Sequence, residues 1–143
     1  MKKLFYYLAS TFAFIVISGN VYSQVNNSAN APDEIQKFLN THYQDKSVIK
    51  FKQNKDKDQM KYKITLSDNT KLKFDNNYKI VEIDSKGKVP ESVVPIDILT
   101  YVKTNYPDNY ITDWELENSN QHIELNNGVE LEFNMKGEFV RID

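Results

Sequence analysis

The sequence predicts an α+β fold built from two tandem α-β-β-β-β repeats, with the helices packed on antiparallel sheet. Three observations predict it. Shifted by 63 residues, the chain superposes Pro32 on Pro95, Ile35 on Ile98, Phe38 on Tyr101, Leu39 on Val102, Tyr43 on Tyr106, Val48 on Ile111 and Phe51 on Trp114. After a segment four residues longer in the first repeat, a shift of 59 pairs Ile64 with Ile123, Leu66 with Leu125, Leu72 with Leu131, Phe74 with Phe133, Val81 with Val140 and Ile83 with Ile142. Within each repeat, apolar spacing changes from helical to alternating, and turn-forming residues stand at equivalent points.

The helices come first. Ile35, Phe38, Leu39 and Tyr43, and later Ile98, Tyr101, Val102 and Tyr106, place one apolar stripe on about three turns of helix. Pro32 and Pro95 suit the first helical turn, where a missing N–H costs nothing. Four alternating strands follow in the first repeat, carried by Ile49 and Phe51, by Tyr62, Ile64 and Leu66, by Leu72 and Phe74, and by Val81 and Ile83. Asp68-Asn69 and Asn127-Gly128 tolerate positive φ and predict tight hairpin turns between the second and third strands. Phe51 and Trp114 are expected inward. One repeat alone buries a thin core, so the two should share an interior, through one continuous sheet or by packing helices together.

The order along the chain is then a leader at 1–23, a flexible lead-in at 24–31, a first repeat at 32–85, a linker at 86–91 and a second repeat at 92–143. Met1-Lys2-Lys3 is a basic start, and Leu4 to Ile17 is a 14-residue apolar stretch broken by Ser10 and Thr11. Val21-Tyr22-Ser23 then offers a cleavage site, which is the layout of a secretory signal peptide. As helix the apolar stretch would reach about 21 Å, short of the roughly 30 Å hydrocarbon core, so no membrane span is expected after cleavage. The predicted address is the periplasm or beyond.

The quoted residues also resemble a family. The Pro-x-x-Ile-x-x-Phe/Tyr helix, Tyr62-x-Ile64-x-Leu66, a turn and Leu72-x-Phe74-Asp75 are similar to the PepSY-like, putative β-lactamase-inhibitor-like family of exported bacterial proteins. The resemblance covers residues 32–143. It implies a β-lactamase-inhibitor-like tandem α+β module and a non-enzymatic, protein-binding or inhibitory role. One departure is visible: the last turn of the second repeat is Asn134-Met135-Lys136-Gly137, whereas Asp75-Asn76-Asn77-Tyr78 in the first lacks glycine.

Alternation also assigns the opposite side of each strand. In the first repeat it carries Lys50, Lys52, Lys61, Lys63, Thr65, Lys71 and Lys73, and in the second Asp113, Glu115, Glu117, His122, Glu124, Glu130 and Glu132. Residues 31–88 hold 13 lysines against nine acids, while residues 89–143 hold three basic side chains against 11 acids. The net charge of −2 therefore hides a strong dipole. A solvated antiparallel face explains such charges as solubility and edge protection. A bipolar docking surface for another protein explains them as steering, with strong salt dependence. Basic repeat against acidic repeat of a neighbour would also give weak self-association.

Composition excludes much chemistry. With no cysteine there is no disulfide, thiol nucleophile or thiolate metal site, and two histidines leave little for triads. His42 lies beside the first helical stripe and is not duplicated; His122 and Glu124 share an outward strand face and are weak metal candidates. Asp56-Lys57-Asp58 lacks the glycine and distant glutamate of a calcium loop and reads as the exposed tip of the longer first loop. No nucleophile elbow or glycine-rich phosphate loop occurs, and carboxylates on an open sheet face lack the seclusion that acid catalysis needs. Nucleic acid would be drawn to the first repeat and repelled by the second. The sequence therefore predicts an exported non-enzymatic module without a cofactor or catalytic residue, which binds another protein through the twelve charged residues Lys50, Lys52, Lys61, Lys63, Lys71, Lys73, Asp113, Glu115, Glu117, Glu124, Glu130 and Glu132. The alternative is a metal-ion or small-ligand binder using the acidic half.

Overall fold

The computed structural model describes residues 30–56, 59–117 and 119–143. The predicted leader and all but the end of the lead-in lie outside the described residues, as do Lys57 and Asp58. Ala31, at the end of the lead-in, is buried, and its carbonyl accepts a hydrogen bond from Gln36 Nε2 at 2.7 Å.

Helix α1 (Asp33–His42) precedes strands β1 (Val48–Asp56), β2 (Gln59–Leu66), β3 (Lys71–Phe74) and β4 (Ile80–Asp84). A 3-10 turn at Glu91–Val93 leads into α2 (Ile96–Asn105), then β5 (Ile111–Glu117), β6 (Asn120–Leu125), β7 (Glu130–Asn134) and β8 (Phe139–Ile142). All eight strands form one antiparallel sheet in the order β1 to β8. Of the two ways to share an interior, the chain therefore uses the continuous sheet. The join is the β4–β5 ladder, where Ile83 faces Trp114.

Each helix begins one residue after its proline. Pro32 and Pro95 are N-caps rather than first-turn residues, and their carbonyls accept from Gln36 N at 3.0 Å and Leu99 N at 3.1 Å. The buried stripes are Ile35 and Leu39 on α1, and Ile98 and Val102 on α2. Phe38 meets Phe74 edge-on at 5.2 Å, and Tyr101 meets Phe133 edge-on at the same distance. Both helices thus cover one face of the sheet. Across that face runs a single row of paired residues: Phe51, Ile64, Leu72, Ile83, Trp114, Ile123, Leu131 and Ile142. Trp114 is 6% exposed and donates from Nε1 to Gln121 Oε1 at 3.1 Å. Phe51, at the β1 edge, is only half-buried.

Four register shifts amend the alternation read from sequence. The β1–β2 ladder skips between Val48 and Lys50, and β5–β6 skips at the equivalent point between Ile111 and Asp113. Val48 is therefore the inward residue, and Ile49, expected inward, is 51% exposed. Further shifts at Lys73/Phe74 and Glu132/Phe133 place Ile80 opposite Phe74 and Phe139 opposite Phe133. Ile80 and Phe139 replace Val81 and Val140 as the residues against these phenylalanines. An extra residue in one strand turns its neighbour to the other face, which simple alternation cannot anticipate. The four additional residues of the first repeat lengthen a hairpin rather than a loop, since pairing continues to Asp56 opposite Gln59.

The predicted hairpin turns are present, with φ of 68° at Asn69 and 80° at Gly128. The later turns use Tyr78 at φ 61° and Gly137 at φ 82° in equivalent places. The α1 end reaches the second repeat through His42 Nδ1, 2.8 Å from Ser92 Oγ.

Candidate functional site: the charged face of the sheet

The face without helices is built of cross-strand rows, because residues paired in an antiparallel ladder point the same way. The longest row reads Lys52, Lys63, Lys73, Glu82, Glu115, His122, Glu132 and Arg141. Beside it run Lys50, Thr65, Lys71, Asp84, Asp113, Glu124 and Glu130. Lys61 and Glu117 lie outside these rows, opposite Asn54 and Asn120 respectively. All twelve charged residues named from sequence thus belong to this one sheet, basic on β1–β3 and acidic on β5–β7.

The change of sign does not fall between the repeats. It falls between β3 and β4, because Glu82 and Asp84 belong to the first repeat yet extend the acidic zone. There Lys71 Nζ donates to Asp84 Oδ2 at 2.7 Å, and Lys73 pairs with Glu82. The bond to Asp84 holds the Lys71 ammonium above its ordinary pKa. Sequence reasoning missed Glu82 and Asp84, although the alternation around Ile83 was a signal for both. It also missed Arg141, the one basic residue in the acidic rows.

Past that boundary like charges accumulate. Asp113 stands between Asp84 and Glu124 in its row, with Glu82 and Glu115 in the next. Burial first, then the charges of Asp84, Glu82, Glu115 and Glu124, push its carboxyl up to about 7. Glu115 is raised too, by burial and then by Glu82. The acidic zone forms an open depression of about 300 Å³ lined by Asp113, Glu115, Glu117, His122, Glu124 and Glu130. His122 lies at its end, Nδ1 3.7 Å from Asp143 Oδ2 and Nε2 4.0 Å from Glu117 Oε2. Among the described residues, no three His, Asp or Glu side chains converge closely enough to hold a metal ion.

Glu132 departs from its expected role. It lies on the polar face but is only 3% exposed, bonded by Asn120 and covered by Arg141, whose Nη2 is 2.6 Å from its Oε2. A docking partner would meet Arg141 there instead. On the basic side, Lys52 and Lys63 oppose each other, as do Lys63 and Lys73. Lys50, Lys52 and Lys63 together with Lys71 and Lys73 border a depression of about 300 Å³ over the β1–β3 sheet.

No helix among the described residues is long and apolar enough to cross a membrane. No curated protein matches the chain. Solved structures do. A crystal structure described as a putative periplasmic protein from Bacteroides vulgatus is similar at 32% identity and TM-score 0.77, covering 81% of this chain and 92% of that one. A putative calcium-regulated periplasmic protein from Bacteroides thetaiotaomicron is 30% identical, with TM-score 0.76 and the same coverage, 81% and 92%. A further putative periplasmic protein of unknown function from Bacteroides vulgatus is 27% identical at TM-score 0.76, covering 82% of this chain and 94% of its own. The profile of the family described as putative beta-lactamase-inhibitor-like, PepSY-like matches residues 19–82 and again 81–141, and the chain belongs to that PepSY-like family.

Proposed function

We propose that the chain is a non-enzymatic periplasmic binding module that docks another protein on the charged face of its sheet. The observation that carries this reading is the sorting of charge. Like charges directly opposite one another across strands cost about 0.2–1 kcal/mol per pair. A face shaped only for solubility would alternate its signs. Here Asp84–Asp113, Asp113–Glu124 and Glu124–Glu130 stack acid on acid, and Lys52–Lys63–Lys73 stack base on base. Such zones focus the local potential and steer a partner of complementary pattern. The family description agrees with a binding or inhibitory role, and the similar crystal structures are described as periplasmic.

Capture from a bacterial envelope extract tests the proposal, with the native chain compared with a variant carrying Lys61→Glu, Lys63→Glu, Lys71→Glu and Lys73→Glu. A discrete protein held at low salt, released at high salt and not retained by the variant is the expected result. Equal retention by both forms would reduce the face to solubility.

Two observations favour a second reading, a divalent cation held loosely over the acidic rows, where among the described residues no three side chains converge into a closed site. Asp113 is crowded by four carboxylates that a cation would relieve, and one similar protein is described as calcium-regulated. Calorimetric titration with Ca²⁺ and Zn²⁺ tests it. Binding weakened by Glu115→Gln and Glu124→Gln supports the cation, and the absence of heat with either ion removes it.

A further inference from the structure

The polar face has a partly apolar cleft where the two repeats part. The β4–β5 ladder holds Glu82–Glu115, Ile83–Trp114 and Asp84–Asp113, although β4 begins at Ile80 and β5 runs on to Glu117. Past Glu82–Glu115 the two strands are no longer paired, and an open cleft of about 280 Å³ lies there. Phe74, Val81 and Leu116 supply its apolar lining, with Lys63 and Lys73 on one side and Glu82 and Glu115 on the other. The register shift at Lys73/Phe74 gives Ile80 the place opposite Phe74, and Val81, displaced from that pairing, lines the cleft instead. Asp75, also at its border, is engaged by the backbone N–H groups of Asn77 and Lys79 in its own turn.

The charges along the cleft are ordered. Lys63, Lys73, Glu82 and Glu115 pair in succession across β2, β3, β4 and β5. The middle two satisfy each other in an ion pair. That leaves Lys63 exposed at one end, and at the other Glu115, which shares a hydrogen bond with Glu82. Burial, and then the Glu82 charge, hold the Glu115 carboxyl above its ordinary pKa, so a cation brought to it is favoured. Spacing fixes what can span the two ends. Neighbouring strands lie about 4.8 Å apart, so three steps put Lys63 and Glu115 about 14 Å apart along the row. An extended peptide rises about 3.4 Å per residue and points alternate side chains the same way, which sets its first and fifth residues about 14 Å apart too. The third falls midway, over the cleft.

We propose that the partner's anchor is an extended segment laid across β2 to β5, with an acidic residue at Lys63, an aliphatic residue two positions on in the cleft, and a basic residue two further on at Glu115. This inference rests on the reading of the face as a protein-docking surface and names the part of the partner that it takes. The aliphatic residue supplies what a flat charged face lacks, because interface energy concentrates where a side chain fills a desolvated pocket. The two end charges set the register. A segment with two acids or two bases would bring one like charge against the row, which is repulsive and selects against it.

Blocked pentapeptides provide the probe. The first carries aspartate, leucine and lysine at its first, third and fifth positions, with serine between them. Three others replace the leucine by alanine, the lysine by aspartate, or the aspartate by lysine. Each is titrated into the isotope-labelled chain, purified from the periplasm, while backbone amide shifts are followed by NMR. The expected result is saturable binding of the first peptide, with shifts at Lys63, Val81, Glu115 and Leu116, about fivefold or more tighter than the others. Lys63→Gln and Glu115→Gln should each weaken it about threefold or more. The peptide series itself needs no variant, so the test holds whatever these substitutions do to folding. No saturable binding, equal affinity for all four peptides, or shifts confined to other residues overturns the proposal. Lysine-dependent capture of an envelope protein without peptide binding would sink the anchor and leave the docking surface standing. The expected peptide binding with nothing captured from the extract would support the cleft and remove the wider docking surface.

Discussion

Asp84 and Asp113 face each other across the β4–β5 ladder, one from each repeat, at the join that makes the two repeats one sheet. Among the described residues, Asp84 has a cation in contact, Lys71 at 2.7 Å, and Asp113 has none; burial first, and then Asp84 and its neighbouring acids, push the Asp113 carboxyl up to about 7. The seam between the repeats is thus also a place where like charges crowd the polar face.

A pH dependence follows. In the unfolded chain Asp113 ionises near the ordinary value of 3.8, but in the folded protein only near 7. Between those limits the unfolded state holds fewer protons at this site, so its contribution makes stability fall as pH rises from about 4 to about 7. Asp113→Asn removes the penalty. After discounting for solvent screening on an open face, the variant should be about 1 kcal/mol more stable than the native chain at pH 8, with no gain at pH 4 or below. Thermal melts of both forms across this range check it.

Arg141→Ala should expose the cost of a buried carboxylate. Glu132 keeps its bond from Asn120 but loses its cation, and a buried charge without its partner is strongly disfavoured. Because Arg141 itself is exposed, the loss seen in chemical denaturation should be clear but smaller than a fully interior pair would cost. The double variant Arg141→Ala/Glu132→Gln should recover much of the loss.

The two left-handed glycines should respond differently to alanine. At Gly128, with nothing within 4 Å of an added Cβ, the cost is the backbone strain alone, about 1 kcal/mol. At Gly137 the new Cβ would stand 2.9 Å from Asp97 Cβ on α2, so the loss should be about 2–3 kcal/mol. Equal destabilisation by Gly128→Ala and Gly137→Ala would show that α2 yields freely.

Trp114 and Phe51 are equivalent in sequence but not in environment. Trp114→Ala removes a buried indole and strands Gln121 Oε1, and should cost about 3–5 kcal/mol. Phe51→Ala, at a half-buried edge position, should cost about 1–2 kcal/mol. Denaturant midpoints of the two variants give the comparison.

Much of this was legible along the chain because the information is local. Ile35 and Leu39, or Ile98 and Val102, lie one helical turn apart and declare a helix face without reference to the rest of the molecule. Asn69 and Gly128 declare their turns by tolerating positive φ. The charged face was legible for the same reason, since Lys61 and Lys63 flank Tyr62 and must point away from it. Failures arose where one residue depends on a partner strand. Ile49, Val81 and Val140 were misplaced because register shifts belong to a ladder and not to a single strand. Tyr78, a bulky residue at φ 61°, occupies a turn that the second repeat gives to glycine; its ring lies 5.3 Å from Tyr62, a contact between turn and strand that alternation does not reveal.

The amino-acid sequence by itself determined the α+β class, the turn positions and the sorting of lysines and acids onto one side of the strands. Each rests on a periodicity of 3.6 or 2 residues, or on the φ preference of one or two residues. Tertiary structure decided that β4 and β5 join the repeats, that the sign of the face changes between β3 and β4, and that Arg141 covers Glu132. The reason is that a side-chain pattern specifies which way a strand faces but not which strand lies beside it. Neighbours in a sheet are chosen by burial of the whole apolar row, and only the assembled ladder brings Asp84 against Asp113.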